Sequence, residues 1–303
     1  MKITITGSLG NIGSPLTKDL VSKGHSVTVI SSNPEKKKDI EVSSAKAAIG
    51  SMENADFLTS AFGGANAVYV MEPPVSFFDH NLNIHSYYSG LAHNFVKAIL
   101  GSGVQRVVHL SSIGGNMSEG NGVLVFHHLV ETILRELPST ISLTHVRPLG
   151  FYNNLLGFIP GIKNAGKITA NYGADDLIPW ASPLDIADVI AEELVASGQS
   201  RKVRYVVSDE LSCNKTASLL GAAIGMPDLK WEIISDEQMQ ARFISIGMAP
   251  GLAAGLTEMN AAMHSGELFE DYKHFKPAVF GKVKMADYAK EFGNIFNAQN
   301  SAK

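Results

Sequence analysis

Lys2-Ile3-Thr4-Ile5-Thr6-Gly7-Ser8-Leu9-Gly10-Asn11-Ile12-Gly13 runs a short β pattern straight into a turn in which glycine recurs at every third position. Gly7 and Gly10 carry no Cβ, so the turn stays tight and backbone N–H groups approach a pyrophosphate, while Gly13 lets the next helix lie close to the strand. A helix N-terminus aimed at phosphates adds amide and dipole attraction. Glycine spacing alone is a weak signal, so the flanks decide its reading. Here they agree. Ile12, Leu16, Leu20 and Val21 form one helical stripe, Pro15 sits in the first turn, Gly24 marks a stop, and Ser26-Val27-Thr28-Val29-Ile30 reads as a second strand. Gly7, Leu9, Gly10, Asn11, Ile12 and Gly13 are thus the expected phosphate loop of a βαβ unit.

Working outward, strand and helix patterns alternate through the first two hundred residues, which predicts a doubly wound parallel α/β sheet of Rossmann-like type. Further strands are expected at 45–49, 67–71, 106–110, 142–146 and 203–207. Helices are expected at 54–62, 89–100, 123–137 and 185–196. After about residue 208 the rhythm turns helical, with one β-like piece at 230–234. Residues 1–150 and 180–207 are therefore assigned to a dinucleotide-binding domain. Residues 151–179, read as loop, and 208–303 are assigned to a smaller C-terminal substrate-side domain. Ligands of such sheets bind beyond the carboxyl ends of the strands. That points to Ser31, Ser32 and Asn33, to Met71, Glu72 and Pro73, and to Ser111 and Ser112, converging with the glycine loop and the segment 147–154 on one cleft.

The bulk numbers narrow the class. With 303 residues, 45% hydrophobic and 18% charged, the chain has the composition of an ordinary globular protein, and a net charge of −4 gives no reason to expect nucleic acid or an anionic membrane as partner. The first strand begins at once without an apolar leader, and the apolar stretch 244–263 is broken by Pro250, glycines and Glu258, so it reads as a pair of short helices. One cysteine, Cys213, excludes an intrachain disulfide and a thiolate cluster, suits a cytoplasmic setting, and reads as a small buried hydrophobe. No metal site is expected, because the ten histidines are scattered without paired carboxylates at ligand spacing. Nor is there a Gly-x-Ser-x-Gly elbow of hydrolases.

A coenzyme with a free ribose 2′-hydroxyl is usually held by an acid after the second strand, and this chain offers Ser31-Ser32-Asn33 with Lys36, Lys37 and Lys38 behind. NADP(H) is therefore preferred over NAD(H), although the lysine run reads equally well as a solvated helix start.

Several pieces together resemble the NmrA-like branch of the atypical short-chain dehydrogenases/reductases: the glycine loop, Gly103-Val104-Gln105-Arg106-Val107-Val108, Ser111-Ser112, Arg147-Pro148-Leu149-Gly150-Phe151-Tyr152-Asn153-Asn154, Pro183-Leu184-Asp185-Ile186-Ala187 and Val203-Arg204-Tyr205-Val206-Val207-Ser208. The resemblance implies NAD(P)H-using reductases, such as those acting on quinones or triphenylmethane dyes, or members that sense the NADP(H) state for a regulatory protein partner. It implies that Phe151, Tyr152 and Asn154 lie on a loop beside the cofactor. The chain departs from the pattern where Ser51 replaces an acid after the third strand, where Ser32 replaces an arginine, and where His127-His128 replaces a lysine before the mid-chain helix. The Tyr-x-x-x-Lys pair of the parent superfamily is missing from its place; Tyr272 to Lys276 has the spacing but lies far downstream and reads as chance.

Losing that pair removes the usual acid for alcohol and ketone interconversion. Hydride transfer to an electron-poor acceptor asks less of the protein, because the cofactor carries the reaction. His127 and His128 are the candidate proton donors, and Ser112 the candidate partner for an acceptor oxygen. The plainer reading makes one histidine a core residue and the other solvated. The loop 72–80, with Phe77 and Phe78 among prolines, reads either as an acceptor wall or as a loop packed on its own aromatics. The expected activity is an NADPH-dependent oxidoreductase acting on a small-molecule acceptor; the alternative is an inactive NADP(H) sensor. A homodimer is the default assembly.

Overall fold

The central strands of the large sheet are buried on both faces, as a parallel sheet covered by helices requires. In the computed structural model, which describes residues 1–301, these strands are β1 (Lys2–Ile5), β2 (Ser26–Ser31), β3 (Lys46–Ile49), β4 (Ala67–Met71), β5 (Arg106–Leu110), β6 (Ser142–Pro148) and, after the short strands given below, β10 (Arg201–Val206). They lie in the order β3-β2-β1-β4-β5-β6-β10, all parallel. The order reverses between β1 and β4, so a crevice opens there at the carboxyl ends of the strands.

One face is covered by α1 (Gly13–Ser22) and α7 (Pro183–Val195), which send Leu16, Leu20, Ile186 and Ile190 against Ile3, Ile5 and Val29. The other is covered by α3 (Ala55–Phe62), α4 (Ile84–Ser102) and α5 (Val125–Arg135), through Phe62, Phe95 and Leu134 against Val68, Val70 and Val107. α2 (Lys36–Val42) lies outside, with Lys36 paired to Asp39 and Lys37 to Glu41.

A third core gathers Tyr152, Trp180, Trp231, Tyr272 and Phe292. It is built from β7 (Gly150–Phe151), β9 (Leu177–Ala181) and β11 (Asp209–Ser212) in one small sheet, and from β8 (Lys167–Ala170) and β12 (Lys230–Ile233) in another. Around them pack α6 (Ile159–Ala165), α8 (Cys213–Ala223), α9 (Asp236–Ser245), α10 (Pro250–Ser265), α11 (Glu270–His274) and α12 (Met285–Ser301). Segment 151–179 is thus not a loop. Its strands are too short to show a period, and they exist through pairing with β11 and β12, far along the chain. The break expected in 244–263 falls between α9 and α10. α4 begins earlier than its apolar stripe suggests, because the Asn83 side chain accepts from the Ser86 N–H and caps it. A single turn of 3-10 helix over Gly122–Leu124 leads into α5, so the α-helix starts at Val125. Among the described residues no helix is long and apolar enough to cross a membrane.

Candidate functional site

The glycine loop is shaped as a phosphate cradle. Gly7 has φ +84°, and Ser8 follows at φ +56°, so two residues in succession hold left-handed backbone that only a determined surrounding maintains. At Gly13 a Cβ would stand 2.1 Å from the Ser8 carbonyl oxygen, so helix and loop approach too closely for any other residue. Gly10 differs: it is exposed, and a Cβ there would meet its nearest atom at an ordinary 3.6 Å. Packing within the chain does not require glycine at that position. The open space above Gly10, at the start of α1, fits a pyrophosphate lying against the backbone.

Beside the loop opens a pocket of about 250 Å³. Of the residues expected from sequence, Gly7, Ser31, Ser32, Ser51, Met71 and Pro73 all line it. Glu53 lines it too, and the Tyr87 hydroxyl hydrogen-bonds to that carboxylate; burial first and Glu53 second push the Tyr87 phenol up. Sequence reading missed this acid. Position 51, where an acid is expected, holds serine, and the turn after β3 delivers the acid two residues later. Asn33 instead caps its own turn, its side-chain oxygen accepting from the Glu35 N–H at 2.9 Å. Leu9 is half-buried, and Asn11 is exposed at the loop's rim.

Glu72 turns away from this pocket. It continues β4 on the face that also carries His109 of β5 and His145 of β6, the last two directly paired in register. His109 Nε2 donates to Glu72 Oε1 at 2.9 Å, and His109 Nδ1 meets His145 Nδ1 at 2.9 Å, all three side chains sealed from solvent. From α5, His127 brings Nδ1 to 3.8 Å from Glu72 Oε2, with its ring against Phe126. Among the described residues Glu72 Oε2, His127 Nδ1 and His145 Nε2 are buried with no hydrogen-bond partner. Burial pulls His127 down to about 4 and His145 to about 3. Burial pushes the Glu72 carboxyl up, but the charge and hydrogen bond of His109 and the charge of His127 outweigh it and hold it below the usual range.

One step beyond lies a second cluster. Glu131 of α5 accepts from Ser111 Oγ at 2.6 Å, from Arg147 Nε at 2.8 Å and Arg147 Nη2 at 2.7 Å, and pairs with Arg135. Arg147 Nη1 continues to the Tyr205 hydroxyl at 3.1 Å and Asp271 at 3.0 Å. Burial raises the Glu131 carboxyl, yet the Arg147 hydrogen bonds bring it down to about 2. Ser111 is therefore a link in this brace. Ser112 is partly exposed next to it, and His128 Nδ1 donates to the Gly115 carbonyl at 3.2 Å.

The structure does not bring every candidate to the cleft. Tyr152 is buried in the third core, its hydroxyl donating to Asp209 at 3.0 Å and the Val283 carbonyl at 3.1 Å. Phe151 packs on the sheet core, and Asn154 is exposed. Tyr272 and Lys276 meet on Glu210, as a strut of the C-terminal part. The loop after β4 packs neither on itself nor free: the Ala249 N–H donates to the Phe77 carbonyl at 2.9 Å, and Phe77 lies on the cluster of Met248 and Leu252 where α9 meets α10.

Comparison with known proteins agrees with the cradle. The model of a family described as NAD(P)H-binding matches residues 7–197. An NAD(P)H azoreductase from Xenophilus azovorans is 24% identical over 260 residues, 86% of each chain. The crystal structure of an NADPH-dependent quinone oxidoreductase from Escherichia coli, complexed with NADPH, superposes with a TM-score of 0.80 at 20% identity, over 95% of this chain and 99% of that one. A Citrobacter sp. triphenylmethane reductase complexed with NADP(H) gives 0.79 at 18%, over 96% and 99%. These neighbours share the fold of the chain. The match over the glycine loop and most of the sheet shows that the chain belongs to the NAD(P)H-binding family, with NAD(P)H as its cofactor.

Proposed function

We infer that the protein is an NADPH-dependent oxidoreductase that moves hydride to a small electron-poor acceptor, a quinone or a dye. The observation that carries this reading is the likeness to an NAD(P)H azoreductase along 86% of both chains, on a fold shared with quinone and triphenylmethane reductases. These relatives are enzymes by name, which leaves the cofactor-sensor alternative without support. NADPH is favoured over NADH because the turn after β2 brings Ser31 and Ser32 to the pocket and no carboxylate, at the position from which an acid usually grips a ribose diol; the pocket's acid, Glu53, comes from the turn after β3.

In this reading the sheet domain, 1–150 and 180–207, holds the coenzyme, and 151–179 with 208–303 covers the acceptor. The amides of the glycine loop grip the pyrophosphate, and Glu53 receives the adenine side. The bound coenzyme supplies the hydride; the protein positions it, excludes water and furnishes a proton. Ser112, partly exposed just beyond the end of β5, is the residue to hold an acceptor oxygen in this reading. His127, whose ring bridges the sealed cluster and solvent with 14% of its side chain exposed, is better placed for proton transfer than His128, which is tied to Gly115. Cys213 takes no part: it is sealed in the third core, and burial pushes its thiol up.

Calorimetric titration with NADPH and NADH, followed by a panel of quinones, azo dyes and cationic triphenylmethane dyes while the reduced-nicotinamide absorbance is recorded, tests the reading. NADPH is expected to bind more tightly than NADH, with Ser32→Glu reversing the order, and turnover is expected with some of the panel. Tight binding without turnover across the panel contradicts it.

A further inference from the structure

We propose that Glu72, braced by His109 and His145, holds His127 in the tautomer that presents Nε2 to the acceptor, so that His127 delivers the proton completing reduction. The inference rests on the reductase reading and assigns three residues that the glycine loop and pocket leave unexplained.

The geometry carries it in three steps. First, Glu72 is a buried carboxylate with one oxygen satisfied, by His109, and one bare, and the bare oxygen faces a bare ring nitrogen of His127 at 3.8 Å. Buried polar atoms are nearly always paired, so two orphans facing each other call for a partner, and the bond proposed between them supplies one to each. Closing the gap to an ordinary hydrogen-bond length satisfies both at once and fixes the proton of His127 on Nδ1. Second, Nδ1 is the sealed edge of that ring, so the exposed part of His127 leads toward solvent on the far side. A carboxylate holding one nitrogen of an imidazole while the other exchanges a proton is the arrangement that orients histidine in acyl-transfer triads. Third, the brace is rigid. His109 sits between Glu72 and His145 on adjacent strands in register, so Glu72 cannot swing without breaking a sealed hydrogen bond. The two Nδ1 atoms at 2.9 Å leave no room for a cation between them, and among the described residues no group of such side chains is arranged to hold a metal.

The proton count closes. Hydride brings two electrons to a neutral quinone or azo acceptor, which becomes an anion; the Nε2–H bond of imidazolium His127 breaks, and its proton joins the acceptor oxygen or nitrogen, whereas a cationic triphenylmethane dye is neutralised by the hydride itself and needs no proton. His127 is left neutral with Nδ1–H on Glu72, and solvent returns a proton to Nε2. The groups that face His127 are Glu72 from the end of β4, His109 from β5, Arg147 from β6 and Glu131 from its own helix, while Tyr88 of α4 faces Glu72. With the gap open, burial dominates and keeps His127 neutral. Closing it onto the Glu72 carboxylate moves the pKa upward, toward the range where a general acid works.

The test has a spectroscopic and a kinetic arm. In protein with ¹⁵N-labelled histidine, saturated with NADP⁺, neutral His127 is expected as the Nδ1–H tautomer with a pKa above that of the free protein, and Glu72→Gln is expected to lose both features. With a quinone or an azo dye from the panel, Glu72→Gln and His127→Gln are each expected to lower kcat about a hundredfold. The KM for NADPH should be retained, the loss of kcat toward high pH expected of the wild type should be abolished, and the double variant should fall no further. Should Glu72→Gln not fold, His127→Gln, at a partly exposed position, carries the kinetic arm and the tautomer of the wild type carries the other. A wild type that turns over beside folded variants with unchanged kcat and pH profile overturns this inference alone. So does an Nε2–H tautomer in the wild type. A wild type that binds NADPH and reduces nothing overturns the reductase reading, and proton delivery with it.

Discussion

Two buried polar clusters stand side by side at the carboxyl ends of β4, β5 and β6, and they are built on opposite plans. Around Glu131 every carboxylate oxygen is taken, by Ser111, Arg135 and Arg147, and Arg147 runs on to Tyr205 and Asp271. Around Glu72 one oxygen and one nitrogen of each flanking imidazole, His127 and His145, are left bare. A low-dielectric interior strengthens satisfied bonds and penalises unsatisfied ones, so the first cluster serves as a brace between sheet and C-terminal helices. The second leaves an unmet demand, as the proton-transfer site proposed above requires.

The largest effect separating them is acid. Unfolded histidine takes a proton near pH 6.5, whereas His127 and His145 resist it until about 4 and about 3 in the folded protein. Stability is therefore full above pH 6.5 and lost as pH falls through that window, at about 1.4 kcal/mol per pH unit per group, or up to about 5 kcal/mol for both by pH 4.5. Glu131, held at about 2, keeps its charge down to about that pH, so its contribution is full above about 4.5 and is lost only as the pH falls below it. Urea unfolding at a series of pH values should show this slope, and His127→Gln should remove about half of it. A flat profile between 6.5 and 4.5 breaks the contrast.

Next comes Glu131→Ala, which leaves Arg147 buried and unpaired and is expected to cost about 3–5 kcal/mol in urea unfolding at neutral pH. Asp271→Asn removes only the half-buried arm of the brace, where Arg147 and Tyr205 converge. A loss of about 1–2 kcal/mol by the same measurement is expected. Smallest is Tyr272→Phe, which takes one hydrogen bond from Glu210. It is expected to cost about 1 kcal/mol and to leave turnover unchanged, because its Tyr-x-x-x-Lys spacing belongs to a strut. A turnover loss there would move the catalytic centre to the C-terminal part.

The same contrast explains what was legible in the sequence. The glycine loop, β4 and β5 were readable because their signals are local: glycine spacing, apolar runs, and turns on either side. The six pocket residues followed from strand ends. His109 and His145 were not readable, since each is a lone polar residue inside an apolar strand and only the strand register sets them against each other. The available signal was two histidines standing two residues before Ser111 and Arg147. Glu53 was missed by counting offsets from a strand end, and Tyr152 was misplaced because a loop position beside β6 does not reveal a hydroxyl turned into another core. The small strands of the third core lacked any period because two to five residues cannot show one.

The central claim is hydride transfer from bound NADPH. Its most direct measurement is a single turnover with stoichiometric NADPH and a cationic triphenylmethane dye, an azo dye or a quinone, following the reduced-nicotinamide absorbance and the acceptor together. Both signals are expected to fall in step, one NADPH consumed for each two-electron reduction, and faster than in the absence of protein. Bound NADPH that persists unchanged beside every acceptor would contradict it.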